Sequence, residues 1–189
     1  MSIIDDVMTD KITLHGLGFV QVQLQGNQRL HVWHPELPRR ACFENSAIHD
    51  HRFDFVSHVL VGTQTNHVYA YQKKHDGEFV LYLHEGKRTE NGGRPWTPDG
   101  CADFNLVASF DVPAGKDYDS TAYVYHRTEP GGDGRVATIM RKTGEWQAGA
   151  HSTCRVGIAP DTDFDRFQWS PAQLWEVVSD VLLGQKVTP

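Results

Sequence analysis

The sequence predicts an all-β fold of the sandwich, jelly-roll or barrel kind, followed by a single helix near the C-terminus. Two observations carry the β part: from about residue 12 to 145 short runs rich in Val, Ile, Phe, Tyr and Thr succeed one another, and Gly, Pro, Asn and Asp punctuate them at close intervals. A third carries the helix. After Ser170 the apolar residues change from alternation to helical spacing.

Strands are expected over 18–25, 29–34, 47–61, 65–72, 79–85, 104–112, 121–127 and 135–141. The turns between them are legible in Gln25-Gly-Asn, Lys74-His-Asp-Gly, Pro113-Ala-Gly and Pro130-Gly-Gly-Asp-Gly, where glycine supplies positive φ and proline presets the bend. The stretch 85–100, EGKRTENGGRPWTPDG, is too long and too polar for a hairpin turn. It reads as an excursion at one mouth of the barrel, either a lid or a plain surface insertion. Ser170-Pro-Ala-Gln173 combines an N-cap serine, proline at the first helical position and glutamine at the capping-box position. Leu174, Val178, Val181 and Leu182 then form one apolar stripe before Gly184, which places a helix over 171–183 packed outside the β-core.

The 189 residues suit one domain with its own core, and no repeat, low-complexity tract or linker divides them. A formal charge of −6 with scattered Lys and Arg argues against nucleic-acid partners, and no apolar run reaches the length of a membrane span. The acidic start Met1-Ser-Ile-Ile-Asp-Asp does not read as a secretory signal. Cys42, Cys101 and Cys154 are odd in number, far apart and without CxxC spacing, so neither a disulfide framework nor a thiolate metal site is expected. These features point to the cytoplasm and leave a homodimer open.

The informative segment runs from Ile48 to Gly62, IHDHRFDFVSHVLVG. On a strand, alternate side chains share a face, so His49 and His51 can aim two imidazoles at one point while Asp50 turns away. Neutral imidazoles suit a divalent transition metal. The segment resembles the first motif of the cupins, which reads HxH, a short spacer, a glutamate, a longer spacer and a glycine. Ten residues separate His51 from Gly62, which fits, but the glutamate position holds Phe55. The second cupin motif, a proline-glycine turn followed by a histidine, has its counterpart in Pro113-Ala-Gly115 and His126.

The resemblance implies a single cupin domain over residues 1–189, a double-stranded β-helix or jelly-roll barrel, with His49, His51 and His126 holding one metal ion. Iron(II) is the first expectation, with nickel, manganese and zinc as alternatives. Three neutral ligands leave positions on the metal for a substrate and dioxygen. Within the cupins, Ile48-His-Asp-His51 and His126-Arg127 are similar to the thiol dioxygenases, the cysteine dioxygenase group, whose iron is held by three histidines without a carboxylate. The Ser-His-Tyr relay of that group is missing, since the comparable strand offers Thr138, Met140 and Lys142. The group's substrate-binding arginine has no counterpart on the early strand, although Arg39 and Arg40 follow it, so cysteine itself is not expected as substrate.

The resemblance thus implies a mononuclear non-haem iron dioxygenase acting on a small organic molecule, a thiol among the candidates. The alternatives are a non-catalytic cupin that binds a small molecule or sugar around a structural metal, and a metal-dependent isomerase, for which no general base is evident. Besides metal ligation, the three histidines can be read as polar interior residues satisfied by other hydrogen bonds. Phe55, Ser57, His31 and Trp33 are candidates for a substrate pocket, as are His67 and Tyr69, which alternate with Tyr71 along one strand face. These last three can equally be ordinary strand residues with a wet end. His58 is expected to face away from the metal unless a bulge intervenes, and Arg127 to pair with an acid on the opposite face.

Overall fold

The computed structural model describes residues 11–184. In chain order the strands are β1 (Ile12–His15), β2 (Phe19–Gln23), β3 (Gln28–Trp33), β4 (Phe53–Val61), β5 (Thr63–Lys73), β6 (Phe79–His84), β7 (Thr97–Pro113), β8 (Asp117–Ser120), β9 (Tyr125–Pro130), β10 (Val136–Glu145) and β11 (Ala150–Arg155), with helix α1 at Pro171–Leu183. They form two antiparallel sheets, β1-β2-β3-β10-β4-β8 and β11-β6-β7-β5-β9. The fold is therefore all-β with a C-terminal helix.

The boundaries differ from the sequence reading in instructive ways. The expected strand over 47–61 is interrupted, and only Phe53–Val61 belongs to a regular strand. Residues before it form a short bridging segment: His49 exchanges backbone hydrogen bonds with His126, the Asp50 N–H donates to the His151 carbonyl, and the Thr153 N–H donates to the Ile48 carbonyl. This segment is hydrogen-bonded to both edge strands of the second sheet, β9 and β11, so it covers edges that would otherwise expose unpaired backbone groups. The strand expected over 121–127 starts only at Tyr125, because Tyr123 takes φ 62° in the turn between β8 and β9. β7 begins at Thr97, so the end of the polar excursion is drawn into the sheet. β-structure also continues past 145 to β11, whose sequence AHSTCR has too little apolar alternation to announce a strand.

The two faces of the first sheet have opposite characters. Outward, Leu14, Val20, Val22, Leu30 and Val32 pack against Leu174, Val177, Val178 and Val181 of α1 in the main apolar cluster. Burying each such side chain contributes about 1.5–3 kcal/mol. The helix starts where its cap signature stands: the Gln173 N–H donates to Ser170 Oγ at 3.3 Å, the Ser170 N–H donates to Gln173 Oε1 at 2.9 Å, and Gly184 ends the helix at φ 63°. Inward, alternate residues of the same strands, namely Gln21, Arg29, His31, Phe55 and Ser57, face the space between the sheets. The apolar core thus lies between sheet and helix, which leaves the inter-sheet space free for polar and aromatic groups.

Two turns close one end of this space. Gly62 lies between β4 and β5 with φ 74°, and a Cβ there would stand 2.4 Å from the Arg135 carbonyl oxygen. The Pro113-Ala-Gly115 turn sits on it, with the Ala114 N–H donating to the Gly62 carbonyl at 2.9 Å and the Gly115 N–H to Val59 at 2.8 Å. A side chain at residue 62 meets both an unfavourable left-handed conformation and immovable backbone. Gly62→Ala is expected to lower the unfolding free energy by more than about 2 kcal/mol in urea denaturation. Unchanged stability would show that this turn is not held as described.

Candidate metal centre

His49, His51 and His126 come together between the sheets, their candidate ligand nitrogens all within 4.8 Å of one another. The ring centroids are 4.9 Å apart for His49 and His51, 4.5 Å for His49 and His126, and 5.0 Å for His51 and His126. Backbone pairing sets this meeting: reciprocal hydrogen bonds of 3.0 and 2.9 Å lock His49 opposite His126, and the His51 carbonyl accepts from the Tyr123 N–H at 2.8 Å. The first two histidines come from the bridging segment, and the third comes from β9 across the fold.

The donor set fits a metal ion. His49 Nδ1 lies 2.9 Å from the Ala47 carbonyl and His126 Nδ1 lies 2.9 Å from the Val124 carbonyl. A ring nitrogen facing a carbonyl must carry the proton, which leaves each Nε2 as a bare lone pair. Such second contacts also hold ligand histidines in orientation. Nitrogens about 2.1 Å from a common ion lie at most about 4.2 Å apart, so small rotations of the rings would close the set. No carboxylate joins this group.

Burial keeps these imidazoles uncharged. His49 is held down to about 3, first by burial and then by the neighbouring His126; burial also lowers His126, and it holds His51 well below the usual histidine range. An unfolded chain protonates these rings near pH 6.5, whereas the folded protein resists doing so. Their contribution to stability is therefore present above about pH 6.5 and is lost as pH falls towards the native value. For His49 the loss is up to about 1.4 kcal/mol per pH unit between roughly 6.5 and 3. Metal-free protein is expected to show a urea midpoint that drops between pH 7 and 5, and a flat midpoint would contradict the neutral buried triad.

A cavity of about 140 Å³ opens beside the triad. Four of the six residues proposed from sequence line it: Phe55, Ser57, His31 and Trp33. His67 and Tyr69 do not. The register of β5 turns Gln64 and Asn66 inward, so the odd residues face out: His67 meets Glu129 at 3.3 Å and Tyr69 packs in a satellite cluster with Phe79 and Tyr125. Phe55 is 5% exposed, with its ring 5.6 Å from His51 and 6.4 Å from His126. It stands beside the triad. His58 points outward to Asp117, and Arg127 pairs with Glu129 at 3.2 Å.

Sequence reasoning missed Gln64, Tyr118, Met140, Arg29 and His15, which also line the cavity. Gln64 could have been found by counting two residues on from the Gly62 turn. Tyr118 could not, because β8 shows no alternation. Gln64 Nε2 donates to Tyr118 Oη at 2.9 Å, while Ser57 Oγ, Gln64 Oε1 and His31 Nε2 are buried without a protein partner. The cavity wall therefore offers hydrogen-bonding groups set in an aromatic lining.

The three cysteines are free thiols. No helix among the described residues is long and apolar enough to cross a membrane. No known family profile matches the chain, and a search of curated proteins returns no match. Fold and site together define an all-β, barrel-like protein with a buried three-histidine group able to hold a metal ion.

Proposed function

We propose that the chain is a jelly-roll protein of the cupin kind whose three histidines bind one divalent metal, iron(II) in the first place, for the oxidation of a small organic substrate by dioxygen. The observation that carries this reading is the donor set: two imidazoles tied through Nδ1 to backbone carbonyls, a third beside them, and the Phe55 ring next to the group with no carboxylate in it. Bound iron would supply open coordination positions and redox chemistry. The chain's own part is positional. Phe55, Phe53, Phe19 and Met140 give the cavity an apolar wall, and Ser57, Gln64 and His31 set polar side chains into it that can orient a substrate.

The test is oxygen consumption by iron-loaded protein across small thiols and diketones, with metal content measured before purification additives are introduced. Consumption coupled to loss of one compound supports the reading, and none with any compound speaks against it. One observation favours a second reading, a metal-containing binding protein without redox chemistry. β10 presents Met140 to the cavity and buries Thr138, leaving no acid-base relay on that strand. In that case the protein would bind metal without consuming oxygen.

A further inference from the structure

A second cavity, of about 200 Å³, adjoins the first and shares His15, Leu17, His49 and His51 with it. Its wall carries four arginines, Arg40, Arg88, Arg94 and Arg166, against one carboxylate, Asp50. That carboxylate is engaged elsewhere, accepting from the His151 backbone N–H and lying 3.3 Å from His151 Nδ1. None of the four guanidiniums makes a salt bridge among the described residues, whereas Arg52, Arg127, Arg135 and Arg155 all do. Neutral oxygens hold them instead: Arg40 donates to the Asp161 carbonyl, Arg88 to Gly92, Arg94 to Gly86, and Arg166 to Leu14 at 3.0 Å and Thr13 Oγ1 at 3.1 Å. Arg40 is further held near Trp96 and Phe164, each ring centre 5.2 Å away.

Four cations lining one cavity of an acidic protein are an arrangement that folding alone does not favour. Arg40 and Arg166 are buried, at 7% and 8% exposure; the Asp161 charge offsets part of the cost at Arg40, whereas no acidic group does so at Arg166, and burying an uncompensated charge is costly. Arg166 is lowered to about 10, first by burial and then by Arg88, Arg29 and Arg40, so these charges repel one another in place. The excursion is what assembles them: it contributes Arg88 and Arg94, and its Asn91 carbonyl accepts from the Arg166 N–H at 3.1 Å. Guanidinium forks match phosphate and carboxylate oxygens bidentately, and fixed forks lose little freedom on binding.

We propose that this vestibule binds an oligoanionic group, a phosphate ester or polycarboxylate, and so selects a small anionic substrate for the metal centre. The substrate assignment rests on the metal reading above, but the anion site itself does not. Full-length protein stripped of metal with chelator is titrated calorimetrically with inorganic phosphate, then with citrate, and compared with the unstripped protein. Saturable binding of at least one anion by stripped protein is expected, with Arg88→Gln/Arg94→Gln weakening it at least tenfold and Arg155→Gln, on the exposed end of β11, leaving it unchanged. The double variant should retain wild-type metal content and melting temperature. No saturable binding of either anion, equal binding by the double variant, or binding seen only with metal present would each overturn the proposal. Anion binding by a protein that takes up no metal would sustain the vestibule and remove the metal reading alone.

Discussion

Alanine at His49, His51 or His126 is expected to abolish stable metal binding, with a loss of affinity of more than about 100-fold, because removing a ligand should cost more than removing a second contact to one, which typically costs 10–100-fold. The three side chains form one group within 4.8 Å, so the effect should be the same at each position. Suitable controls are His75→Ala and His58→Ala, since His75 lies exposed in a turn and His58 points away towards Asp117. His151 is a poor control, contrary to what a loop-like sequence suggests: it sits on β11, hydrogen-bonded to Asp50 beside the triad. Metal content by elemental analysis, with far-ultraviolet circular dichroism to check folding, decides the matter. Equal metal in all five variants would place the site elsewhere.

Phe55→Glu should couple folding to metal. Phe55 packs with Phe53 and Met140 at 5% exposure, so a carboxylate introduced there without metal is a buried charge lacking a partner. Its cost is expected to be roughly 3 kcal/mol or more, read as a lower melting temperature in chelator. With a divalent ion present, the carboxylate becomes a fourth, hard ligand next to three imidazoles. Thermal stability should then recover, preference should shift towards manganese, and oxygen consumption should fall because one open position is filled. A folded variant with unaltered stability and metal preference would mean that residue 55 does not face the metal.

The candidate ligands were legible because strand periodicity is local: His49 and His51 are two residues apart, and the Gly62 turn follows at a countable distance. Yet His49 does not lie on a regular strand. It is held by bridges to His126 and to Ser152, partners roughly 80 and 100 residues further along the chain. Inward positions on β4 could be counted from the same pattern, and Phe55 and Ser57 line the cavity. On β5 the alternation of His67, Tyr69 and Tyr71 identified one face but not which way it points, and the register turned the other face, with Gln64 and Asn66, inward. β1 and β11 were too short or too mixed in composition to stand out, and they are strands because their partners pair with them.

By itself the sequence determined what depends on near neighbours: the β character, the turns at glycine and proline, the capped helix over Pro171–Leu183 and the pairing of two histidines on one face. Only the tertiary structure decided what depends on distant segments meeting. It joined His126, which the sequence offered only through a resemblance, to the pair, split the apolar outer face from the polar inner face of one sheet, and gathered Arg40, Arg88, Arg94 and Arg166 from three separate stretches into one vestibule. The physical reason is that backbone conformation and side-chain alternation are encoded within a few residues, whereas the sign of the charge at a site is the sum over whichever residues the sheet pairing happens to place together.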